Sequence, residues 1–69
     1  MGIMLVKKKW ISIEIFENIE PGDKLVTRFM GKAKAVTLPE NGEIIVKFTN
    51  GPWKDRELML IRHQIAQAL

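Results

Sequence analysis

Two stretches of the chain alternate apolar and polar positions with a period of two. In residues 10–16 (WISIEIF), Ile11, Ile13 and Ile15 share one face, while Trp10, Ser12, Glu14 and Phe16 share the other. In residues 43–49 (EIIVKFT), Ile44, Val46 and Phe48 point one way and Glu43, Ile45, Lys47 and Thr49 the opposite way. Such alternation of β-branched and aromatic residues with polar ones predicts a strand in each. Residues 24–30 (KLVTRFM) set Leu25, Thr27 and Phe29 on one face and Lys24, Val26 and Arg28 on the other. Residues 32–38 (KAKAVTL) add a strand in which Ala33 and Ala35 leave one side with little bulk. That suits the tight interior of a small barrel, or a place where another chain approaches closely.

Turn residues divide these runs at short, even intervals, as expected for several short strands rather than long helices. Pro21-Gly22-Asp23 closes the first run, and Gly31 marks a bulge or bend between the next two. Asn41-Gly42 is the pair that most readily takes the positive φ angles of a two-residue hairpin turn. A strict two-residue turn would set Glu40 opposite Glu43 and put Pro39 in a paired position, both unfavourable. A four-residue loop, residues 39–42, is therefore expected to join KAKAVTL to EIIVKFT as a hairpin.

The C-terminal third admits two readings. Residues 57–61 (ELMLI) fit a strand with Leu58 and Leu60 inward, followed by a short helical turn or tail through RHQIAQAL. Leu58, Ile61, Ile65 and Leu69 also fit a helical stripe over residues 56–68, with Asp55 as its N-cap.

At 69 residues the chain is one domain near the lower size limit for folding on a single core. There is no cysteine, so neither disulfides nor thiolate metal sites supplement that core. The apolar runs are too short to span a bilayer, and the start, MGIMLVKKKW, places its apolar residues before its charges, unlike a secretory signal. A cytoplasmic or organelle-interior location is expected. Eleven basic residues against 8 acidic give a net charge of +3 and a pI near 9.5. That balance fits an anionic partner, but also the ordinary solubility charge of a small domain.

The segment IEPGDKLVTRFMGKAKAVTLPENGEIIVKFTNGPW resembles the small SH3-like barrels, the group that includes KOW and Tudor modules. The shared layout is Pro21-Gly22-Asp23 opening a strand, Gly31 ahead of a second, a hairpin at residues 39–42, then Val46-Lys47-Phe48 ending at Asn50-Gly51. The resemblance covers residues 19–61 and implies a mainly β fold: an SH3-like barrel of about five short antiparallel strands with a short C-terminal helical turn or helix. It implies one domain over residues 1–69, with residues 1–8 as a flexible or edge-strand segment. It argues for a fold and not for an activity. Around Val46, Phe48, Asn50-Gly51, Trp53 and Lys54 the spacing is also similar to the SH3-like subunit of the cyanobacterial and chloroplast NDH complex, which implies a role in ferredoxin docking. The N-terminal run KKKWISIEIF and the longer C-terminal tail depart from that subunit.

Catalytic chemistry is sparse: one histidine, His63, no cysteine, no tyrosine, and no phosphate-cradling loop, nucleophile elbow or metal motif. No enzyme activity, cofactor or small-molecule substrate is expected, nor membrane insertion. Binding is better supported. Lys24, Arg28, Lys32, Lys34 and Lys47 are expected to share neighbouring outward positions, where they either track a phosphate backbone or solvate the outer face. Trp10 and Trp53 are candidate stacking platforms, and Trp53 behind Gly51-Pro52 is alternatively a lid on the core. Val26, Ile45 and Met59 fall opposite the expected core faces, which points to a protein partner or self-association. A non-catalytic adaptor acting through protein contacts is the leading expectation, and nucleic-acid binding the alternative.

Overall fold

A computed structural model describes residues 10–69. The residues before these, with the KKK cluster and the expected N-terminal edge strand, lie outside the described part. Among the described residues the fold is mainly β: α1 (Ile13–Glu17), β1 (Lys24–Thr27), β2 (Lys32–Ala35), β3 (Glu43–Phe48), β4 (Glu57–Ile61), a 3-10 turn (Arg62–Gln64) and β5 (Ile65–Ala68). The strands form one five-stranded antiparallel sheet in the order β4-β3-β2-β1-β5.

The period-two pattern places the core as expected in β1 to β4. Leu25, Ala33, Ala35, Ile44, Val46, Phe48 and Leu60 are buried, and the intervening positions face outward or lie half-buried. Ala33 and Ala35 are thus interior residues. The hairpin joining β2 to β3 pairs Ala33 with Phe48, Lys34 with Lys47 and Ala35 with Val46.

The strand expected over residues 10–16 is instead a one-turn helix, α1. Ser12 is its N-cap, its Oγ accepting from the Ile15 N–H at 3.2 Å. Asn18 closes the other end by donating its side-chain amide to the Glu14 carbonyl at 2.8 Å. A five-residue helix has little stability of its own. What holds it is burial of Ile11, Phe16 and Ile19, which leaves Ile13 and Ile15 55% and 49% exposed. The physical reason is occupancy: the free edge of β1 is taken by β5, with Leu25 opposite Ala68 and Val26 opposite Gln67. Among the described residues, the backbone ahead of α1 docks onto this end of the sheet at Ile11. The Ile11 N–H donates to the Ile65 carbonyl at 3.0 Å, and the Ile11 carbonyl accepts from the Arg62 guanidinium at 2.8 Å.

The loop expected over residues 39–42 is also corrected. Asn41 and Gly42, at φ 55° and 78°, form a two-residue turn, with Glu40 bridging Glu43 through mutual hydrogen bonds of 2.9 and 3.1 Å. Both glutamates are exposed, so water screens the like-charge pair. Pro39 escapes the ladder because pairing is interrupted between Val36, which donates to the Ile45 carbonyl, and Glu40. In that interval the Ile45 N–H bonds the Thr37 hydroxyl at 3.3 Å.

At the C-terminus β4 spans the expected residues, with Leu60 buried and Leu58 half-buried. No helix runs over residues 56–68, and the helical turn is confined to Arg62–Gln64. The tail beyond it is a strand, β5, rather than a loose end. Asp55 is no helix cap: it sits in the β3–β4 loop at φ 70°, its N–H donating to the Phe48 carbonyl.

Candidate functional site

The sequence of β2, Lys-Ala-Lys-Ala, places both alanines in the core and both lysines on the outer face. Register then sets their neighbours. Lys34 stands opposite Lys24 on β1 and opposite Lys47 on β3, and Lys47 in turn faces Glu57 on β4. Three cations thus form a direct cross-strand row, with Cβ atoms of neighbours about 4.5–5.5 Å apart. Lys32 lies on the same face two positions along β2, opposite Val26, and its carbonyl accepts from the Thr49 N–H at 2.9 Å.

Above these strands runs an open groove of about 400 Å³, lined by Lys24, Lys32, Lys34, Thr49 and Leu69 over the β1 and β2 backbone at Leu25 and Ala33. A second hollow of about 260 Å³ continues it past Lys34 and Thr49 to Lys47, with Asp55 on its wall. No Asp or Glu side chain lines the first groove, and its charged side chains are all lysines.

Arg28 does not belong to the row. The β1–β5 register shifts between Val26 and Thr27, and beyond the shift the Arg28 N–H donates to the Gln64 carbonyl at 2.8 Å. Its guanidinium bonds the His63 carbonyl at 3.0 Å and lies 4.9 Å from the Trp10 ring centroid and 4.8 Å from that of Phe29. Arg28 thus braces the β1–β2 loop against the 3-10 turn. Trp10 meets His63 edge-on at 4.6 Å and so belongs to this brace, not to the groove. Trp53 packs near Phe48, ring centroids 6.4 Å apart, with Arg56 6.0 Å from its own ring. It covers the Phe48 end of the core while keeping 36% of its surface exposed.

Phe29 was expected to face the core with Leu25 and Thr27. The strand ends at Thr27, whose N–H donates to the Gly31 carbonyl at 2.9 Å, so Arg28, Phe29 and Met30 form a three-residue loop. Met30 turns inward onto the core and Phe29 outward, 74% exposed. The sequence signal was Gly31, whose φ of 98° marks a turn rather than a continuing strand.

A separate apolar strip lies on the other side of the lysine row. The Val36 N–H bonds the Ile45 carbonyl, Ile45 stands opposite Met59, and Ile61 follows Met59 on the same face of β4. Met59 and Ile61 are 56% and 45% exposed on this edge strand. Among the described residues no group of three or more His, Cys, Asp or Glu side chains is placed to hold a metal ion, and no helix is long and apolar enough to cross a membrane. No family model, curated protein or solved structure matches the chain.

Proposed function

We propose that this protein is a non-catalytic SH3-like binding module that engages the phosphate backbone of a nucleic acid. The barrel reading is supported by the order of elements: four strands in meander, a 3-10 turn, and a fifth strand returning to pair with the first. The ligand class is carried by one observation, the register-aligned row Lys24–Lys34–Lys47, whose first two lysines border, with Lys32, a groove lined by no Asp or Glu side chain. Like charges opposite one another weaken a sheet. A polyanion laid along the row turns that repulsion into attraction and releases its own counterions.

The test is fluorescence anisotropy with a labelled oligonucleotide at two salt concentrations. If Lys24, Lys32, Lys34 and Lys47 each neutralise one phosphate of a single strand, the salt slope is about −2.8, and affinity falls roughly 50-fold between 50 and 200 mM salt. Affinity indifferent to salt would remove phosphate contact as the basis of binding.

A second reading is favoured by the strip Val36, Ile45, Met59 and Ile61: a protein contact, or self-association, along the β4 edge. Light scattering after size exclusion tests it. Self-association requires a concentration-dependent mass that a Met59→Lys variant loses.

A further inference from the structure

Resting on the nucleic-acid reading, we propose that the ligand is single-stranded and that one of its bases stacks on Phe29. Phe29 is the most exposed of the large hydrophobic side chains described, yet its loop is tightly held. The Thr27 hydroxyl donates to the Gly31 carbonyl at 2.6 Å and accepts from the Met30 N–H at 3.0 Å. Gly31 packs against Asn50, whose side-chain oxygen takes the Lys32 N–H at 2.9 Å, tying the loop to the neighbouring β3–β4 loop. Met30 is anchored in the core on one side of Phe29, and Arg28 is pinned to the His63 carbonyl on the other.

The ring is therefore presented rather than merely uncovered. The Arg28 guanidinium lies over the ring, 4.8 Å from its centroid, in a loop whose backbone is already held, so that backbone need not be ordered on binding. An exposed aromatic ring a few residues from a cationic track can capture an unpaired base, because every base offers a π-face regardless of sequence. Phe29 precedes Lys32 by three residues, so their Cα atoms are at most about 11 Å apart. A strand whose phosphates follow the lysines can therefore reach the ring with a neighbouring base.

A duplex suits this surface less well. Its bases are stacked on one another and present only their edges, leaving the ring without a partner. The lysine row also offers a single track, closed by Glu57 at β4 and by Leu69 beside Lys24.

Labelled oligodeoxythymidylate and a mixed-sequence DNA duplex of equal length, titrated by anisotropy against the full chain, test this. The expected result is preference for the single strand, about tenfold weaker single-strand binding for Phe29→Ala, and recovery in Phe29→Tyr. The salt slope should be unchanged in Phe29→Ala, whereas Lys34→Gln should make it shallower. Because Phe29 is exposed, urea melts should show Phe29→Ala folded like the parent. If Lys34→Gln weakens binding while Phe29→Ala binds as the parent does, stacking on Phe29 is overturned and the lysine groove stands. Equal or tighter binding of the duplex overturns the single-strand assignment. If neither oligonucleotide binds, both this inference and the nucleic-acid reading fail.

Discussion

Lys34 is the residue at which this surface should show its own electrostatic cost. It has a lysine directly opposite on each side, Lys24 on β1 and Lys47 on β3. Favourable cross-strand pairs contribute about 0.2–1 kcal/mol, and like-charge pairs oppose pairing on a similar scale. Long, exposed side chains can splay apart, which places each repulsion near the low end, about 0.3–0.5 kcal/mol. Two neighbours make the total about 0.6–1 kcal/mol, so Lys34→Gln should raise the stability of the free protein by that amount at low salt. For a domain of this size a urea m-value near 1 kcal/mol/M turns the gain into a midpoint shift of about 0.6–1 M. The Debye length falls from about 30 Å at 0.01 M to about 3 Å at 1 M, so the gain should largely vanish in 1 M sodium chloride. Lys24→Gln removes one repulsion and should gain about half as much. Lys47→Gln should be near neutral, since it also loses the attraction to Glu57 across the β3–β4 pair. Urea titrations followed by tryptophan fluorescence at both salt concentrations read all three. A Lys34→Gln variant no more stable than the parent at low salt, or equally stabilised in 1 M salt, would refute the reasoning.

Other substitutions probe the frame around the groove. Gly31→Ala should destabilise by more than about 1 kcal/mol in a urea melt, because the position has φ 98° and a Cβ there would lie 2.8 Å from the Asn50 side-chain oxygen. Ser12→Ala should cost about 1 kcal/mol by removing the α1 N-cap, whereas Ser12→Asp should retain stability. Phe48→Ala empties a site 1% exposed at the centre of the core and should cost about 3–5 kcal/mol, enough to leave much of so small a domain unfolded by circular dichroism. Trp53→Ala should cost less, about 1–2 kcal/mol, and should leave oligonucleotide affinity unchanged, since Trp53 caps the Phe48 end of the core rather than lining the groove.

Local pattern decided much of this protein. In β1 to β4 the choice of inward and outward faces follows from side chains alternating across a strand, which needs no knowledge of neighbours. Pro21-Gly22 and Asn41-Gly42 announced their turns because few other residue pairs take the backbone angles found there. The outward direction of Lys24, Lys32, Lys34 and Lys47 was legible for the same reason. Only the tertiary structure decided what lies beside what. The Ile11-Ile13-Ile15 alternation read as a strand, yet β5 occupies the edge of β1, so Ser12 caps a helix there instead. Period two settles a residue's face but not its cross-strand partner, because register depends on where each turn closes and where the ladder slips. The three-residue loop closed by Gly31 aligned Lys24 with Lys34, and the pairing of β2 with β3 added Lys47. The same loop took Phe29 out of the core, and the shift after Val26 turned Arg28 from a groove residue into a brace. These placements are long-range, and no short window of sequence contains the residues that enforce them.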